Sequence, residues 1–196
     1  MDTGSESAEA PAIFLAAVER MRSADTRGEL TVREIPAPGR IAPWSYAVAA
    51  DVGSPEHGRD SDRGTGRFIL MHDPEEPEAW GGAFRVVTFT QATQDLDIAP
   101  DPMLPEVTWS WLLEALDQRD AGYHSASGTA TRVLSTGFGE LAEQGEGAQL
   151  ELRASWTPTS HDIERHLAAW CDLVCASAGM PLQPGAISLD ARRLQR

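Results

Sequence analysis

The order of its periodicities constrains this chain most. Helical spacing of apolar residues occurs once near the N-terminus. Four strand-like runs then follow in direct succession before helical spacing returns. Strands joined by short connections pair antiparallel, because each parallel step needs a crossover of about a dozen residues or more. The first helical pattern follows Pro11, a residue suited to an opening turn. There Phe14, Ala17, Val18 and Met21 repeat at i, i+3, i+4 and i+7, predicting an amphipathic helix to about Ala24. The four strand-like runs are Leu30 to Ile35, 46–52, 67–72 and 83–93, and Pro36 and Pro38 end the first of them.

Ala99-Pro100-Asp101-Pro102 breaks the chain, and Pro105 opens a second helix with Trp109, Leu112, Leu113 and Leu116 on one stripe and Gly122 beyond its end. Strands at 129–136 and 149–156 come next. In the latter, Leu150, Leu152, Ala154 and Trp156 alternate with Glu151, Arg153 and Ser155. Thr159 and Asp162 resemble a capping box for a third helix, whose buried stripe is Ile163, Leu167, Trp170, Val174 and Ala178 before Gly179 and Pro181. The expected fold is α+β: an antiparallel sheet of about six strands, with three helices packed mainly on one face. One domain spans 11–182. The polar stretch 1–10, the loop 54–65 and the tail 183–196 have too few apolar anchors to pack, and mobility is expected there.

Charge sets the functional frame. The chain has 30 acidic and 16 basic residues, a net −14, and no lysine. A negative field with scattered arginines argues against nucleic acid and anionic membranes as partners. No apolar stretch approaches the roughly 20 residues of a membrane helix. The N-terminus is acidic where a signal peptide would be basic, so a cytoplasmic protein is expected. Cys171 and Cys175, four apart in a helix, suit buried packing better than a disulfide.

Several constellations hold residue types suited to chemistry. His72, Asp73, Glu75, Glu76 and Glu78 offer metal donors but lack ligand spacing. His161 points away from Cys171 and Cys175 on a helical wheel, so with His166 the four do not converge, and Asp95-Leu96-Asp97 reads as a loop. Gly64-Thr65-Gly66 precedes a strand rather than a helix, so it is no dinucleotide fingerprint. No metal, cofactor or catalytic residue is expected. Arg85, Arg132 and Arg153 each sit in a strand. Together they could bind an anionic ligand, although pairing with acids such as Glu151 is the favoured reading. Trp111 lies off the Trp109 stripe, near Thr108, Glu114, Ala115 and Gln118, and is either packed under a loop or exposed as an interface anchor. The leading expectation is a non-enzymatic protein-interaction or chaperone-like module acting on a protein partner or as a homodimer. The alternative is an enzyme or sensor holding an anionic small molecule between sheet and helices.

The stretches RIAPWSYAVAADV, TGRFILMHDPEEPEAWGGAFRVVTF, LPEVTWSWLLEAL, ASGTATRVLSTGFG and ELRASWTP resemble the actinobacterial family catalogued as domain of unknown function 3000, from about Phe14 to Pro181. That resemblance implies a shared fold and no defined chemistry. The element order alone is similar to that of type III secretion chaperones and their YbjN-like relatives, with one strand more.

Overall fold

The computed structural model describes residues 9–53, 61 and 63–182. Its helices are α1 (Ala12–Arg22), α2 (Leu104–Gln118) and α3 (Ile163–Ser177). Its strands are β1 (Leu30–Ile35), β2 (Trp44–Val52), β3 (Gly64–His72), β4 (Phe84–Thr93), β5 (Tyr123–Thr136) and β6 (Glu146–Pro158). All six strands form one sheet in the order β1-β2-β3-β4-β6-β5, and every neighbouring pair is antiparallel. The chain is thus α+β, with the expected order of one helix, four strands, one helix, two strands and one helix. α2 carries the chain from β4 to the far edge, where β5 starts. A hairpin through a short 3-10 turn (Gly139–Gln144) then inserts β6 beside β4.

One face of the sheet is covered by the helices. Because side chains alternate along a strand, the covered set is every second residue: Val48, Ala50 and Val52, then Phe68 and Leu70, then Val86, then Leu150, Leu152, Ala154 and Trp156. α3 lies across the middle of this set, with Leu167, Trp170, Leu173 and Val174 buried against it. The two indole N–H groups that enter this layer are paired. Trp170 Nε1 donates to Thr90 Oγ1 at 3.1 Å, and Trp156 Nε1 donates to His166 Nδ1 at 3.0 Å. α1 docks on α3, where Arg20 reaches Asp162 at 2.7 Å and Glu164 at 3.0 Å, and Phe14 stacks on the buried ring of His72. α2 is tied to α3 by a two-pronged ion pair, Arg119 Nε and Nη2 donating to Asp172 at 2.7 and 3.1 Å.

Three local expectations are corrected. β3 starts at Gly64, inside the stretch read as turn. The glycines there serve packing: a Cβ on Gly66 would stand 2.6 Å from Trp170 Cζ2 and from the Phe89 carbonyl, so only glycine lets α3 lie this close. Thr159 does not cap α3. The helix begins at Ile163 with Asp162 as its N-cap and without a side-chain capping bond, while Thr159 N donates to Gly122 O. The buried face of α2 runs through Leu104, Thr108, Leu112, Ala115 and Leu116, so the expected stripe is turned, with Trp109 and Leu113 only partly buried. Of the stretches 1–10, 54–65 and 183–196 in which mobility is expected, residues 1–8, 54–60, 62 and 183–196 lie outside the described residues, while residues 64 and 65 belong to β3.

Candidate functional site

Among the described residues no helix packs on the opposite face of the sheet, and the strand register arranges its side chains in rows. One row reads Arg33, Ala49, Arg67, Phe89, Arg153 and Thr129 from β1 to β5. The next reads Ile35, Ala47, Ile69, Val87, Ser155 and Ser127. On the other side of the arginines lies a polar row: Thr31, Asp51, Thr65, Gln91, Glu151 and Thr131. A line of cations centred on an aromatic ring therefore runs between an apolar row and an acid-bearing one.

The acids answer the arginines. Arg33 Nη2 lies 3.5 Å from Asp51 Oδ2, and Arg153 Nη1 lies 2.9 Å from Glu151 Oε2. The Arg153 guanidinium also stands 5.0 Å from the centroid of the Phe89 ring, a cation–π contact. Ile69, Val87 and Phe89 are only partly buried. With Pro38, Ser127, Thr129 and Ser155 they line an open groove of about 770 Å³ that crosses four strands, β3, β4, β6 and β5.

Arg85 lies beside the end of this groove, joined to it by its bond to Ser155, which lines it. It is two residues from Val87 on the same face and is 9% exposed. Its Nη1 donates to Ser125 O and Thr157 Oγ1, both at 3.0 Å, and its Nη2 donates to Ser155 Oγ at 2.7 Å. Among the described residues no carboxylate pairs with it. Burial alone lowers its pKa, since it removes water from the cation without supplying a counter-charge. The Ser125 carbonyl belongs to a bulge between His124 and Ser127, with Ser125 at φ 51°, so Arg85 also clamps an irregular stretch of the edge strand.

Of the three arginines singled out by sequence, Arg85 and Arg153 share this face. Arg132 does not. It lies opposite Leu150 on the covered side, and its Nη1 donates to the carbonyls of Pro100 and Asp101 at 2.8 and 2.7 Å, fixing the turn that leads into α2. Trp111 is partly buried and packs against the hydrophobic core. Sequence reasoning passed over Arg67, Ile69, Val87, Phe89 and Ser127. β6 shows its two faces by alternation, but β3 and β4 carry apolar residues on both faces, which hides the outward set.

His72, His166, Cys171 and Cys175 belong to the core, whereas His124 and His161 are exposed. Among the described residues no three of His, Cys, Asp and Glu gather as metal ligands. His72 turns its ring inward among Phe14, Trp44 and Phe84, away from the neighbouring acids, and donates through Nδ1 to Ala83 O at 2.9 Å. Burial raises both thiols, Cys175 to about 11, and both cysteines are unbridged. Burial also pushes His166 down to about 4, with Asp162 opposing the shift weakly. Because the indole N–H can only donate, His166 Nδ1 must be unprotonated to receive it.

A family model matches residues 10–187. The chain belongs to the family described as protein of unknown function, DUF3000. No curated protein and no solved structure matches it. Among the described residues of this family member, no helix is long and apolar enough to cross a membrane.

Proposed function

We propose that this DUF3000 chain is a non-enzymatic polypeptide-binding module, and that the helix-free face of its sheet is the docking surface. The observation that carries the reading is the groove along Ile69, Val87 and Phe89, bounded by arginines, on a chain of net charge −14. A solvated sheet face needs only polar side chains; partly exposed aliphatic and aromatic side chains in register offer contact area to a partner. The buried imidazoles and thiols support the non-enzymatic part of the reading, since His72, His166, Cys171 and Cys175 are spent on packing.

The occupant is a foreign segment with apolar side chains and a carboxylate, chosen by charge. Arginines border the apolar row, and a second copy of this chain would bring another net −14 to the contact. Nucleic acid is disfavoured by the same field, and the ion pairs of Arg33 and Arg153 leave no continuous basic track. Buried, unbridged cysteines fit a reducing cytoplasm.

Selection of random peptides displayed on phage against the full chain tests this. The expected winners carry aliphatic residues and an acidic group, and they are lost on Ile69→Arg. Winners indifferent to Ile69→Arg would overturn the choice of face. A doubled mass in light scattering that Ile69→Arg abolishes would replace the foreign segment with a second copy.

A further inference from the structure

We propose that Arg85 is the anchor of a carboxylate-binding site at the end of the groove, taking a carboxylate whose apolar body lies along Val87 and Ile69. The inference rests on the docking reading for the apolar part, and on independent geometry for the anion.

A guanidinium carries five N–H donors. Arg85 gives three of them to neutral oxygens: Ser125 O, Thr157 Oγ1 and Ser155 Oγ. The Nε–H and one Nη2–H have no acceptor among the described residues. The buried side-chain atoms without a partner are His72 Nε2, Glu164 Oε2, His166 Nε2 and Ser177 Oγ; no Arg85 nitrogen is among them, so the unused Nε–H reaches solvent. A fork of two N–H groups is the geometry that binds a carboxylate in two parallel bonds.

The surroundings fit an anion. Ser155 Oγ accepts from Arg85 and lies 3.3 Å from Ser127 Oγ, and both serines line the groove. These hydroxyls can turn to donate toward a bound oxygen. The other arginines of the face fill no such role: Arg33 and Arg153 have acids within the sheet.

Clamping the bulge does not account for the charge. A neutral amide donor would hold carbonyl and hydroxyl oxygens without the cost of burying a cation. A bound carboxylate supplies the missing counter-charge, and its bonds to a largely desolvated guanidinium are correspondingly strong.

The test uses the full-length native chain, and therefore does not depend on any variant folding. Three probes are titrated: the tetrapeptide Ala-Val-Ile-Val with a free C-terminus, the same peptide amidated, and acetate. Methyl resonances of Ile69 and Val87 and the Nε–H resonance of Arg85 are followed by NMR. The expected result is that the free peptide moves all three and binds at least about tenfold tighter than the amidated one. Acetate should move the Arg85 Nε–H alone, which separates a free small carboxylate from a peptide terminus. If both peptides move the methyls equally and Arg85 is silent, the anchor is refuted while the docking face stands. If acetate moves Arg85 and no peptide moves the methyls, the anion site stands and the docking reading falls. If no probe moves Arg85, the proposal is overturned.

Discussion

The two faces of this sheet are made by the same strands, one residue out of phase, and they obey different rules. On the covered face Val86, Leu152 and Trp156 are sealed by α3, and each polar atom brought in by Trp156 and Trp170 has a named acceptor. On the open face their neighbours Val87, Arg153 and Ser155 keep solvent contact, and charge is balanced row against row. The covered face is held by the hydrophobic effect and close packing, so it tolerates little change. On the open face Ile69, Val87 and Phe89 are only partly buried, and the proposed binding is placed there. A register fixed by the first face aligns the second, which is how Arg33, Arg67 and Arg153 come to share a row.

The sharpest way to break this comparison is to place the same charge on both sides of one strand. Val86→Asp puts a carboxylate at a site with no exposure and should cost at least about 4 kcal/mol, enough to unfold a protein of ordinary stability. Val87→Asp should leave the fold intact. Denaturant titration of both variants reads the difference, and equal losses would erase the distinction between the faces.

Acid sharpens it next. His166 titrates near 4 in the fold against 6.5 in an open chain, so the unfolded state takes up the proton first as pH falls. Its stabilising contribution is complete above pH 6.5, declines as pH drops toward 4 and is constant below that. The loss across the window is about 3 kcal/mol. His166→Gln should flatten that part of the stability–pH curve relative to the native chain; an unchanged curve would show that this imidazole is not the sensor. Trp111 offers a smaller effect. It is partly buried at the margin of the helical layer, so Trp111→Ala should cost about 2 kcal/mol without altering peptide binding. Thermal melts and titration of a selected peptide on this variant check both halves.

What the sequence disclosed follows the same division. The α1 stripe Phe14, Ala17, Val18 and Met21 is buried as its spacing requires, and β1 spans the expected Leu30–Ile35, because local periodicity reports which side of an element is inward. The same signal misjudged α2, where Thr108 and Ala115 are buried and Trp109 only partly so. Small and polar residues can face a core when a neighbouring helix lies close, and hydropathy alone does not register that closeness. Gly66 was hidden for a related reason: its role comes from Trp170, a residue of another element. The candidate site was less legible still. Arg85 bonds to groups 40, 70 and 72 positions away, and Arg153 meets Phe89 only through the pairing of β4 with β6. Those neighbours are set by register between distant strands, of which a local pattern holds no record.

The central claim is that one face folds the chain and the other binds. Val87→Arg tests it most directly, with the melting temperature and the affinity for a selected peptide measured on the same sample. The account predicts a melting temperature within about 2 °C of the native chain, as a change of roughly 0.5 kcal/mol implies, together with a loss of affinity of about tenfold or more. A variant that melts many degrees early, or one that binds the peptide as the native chain does, would contradict it.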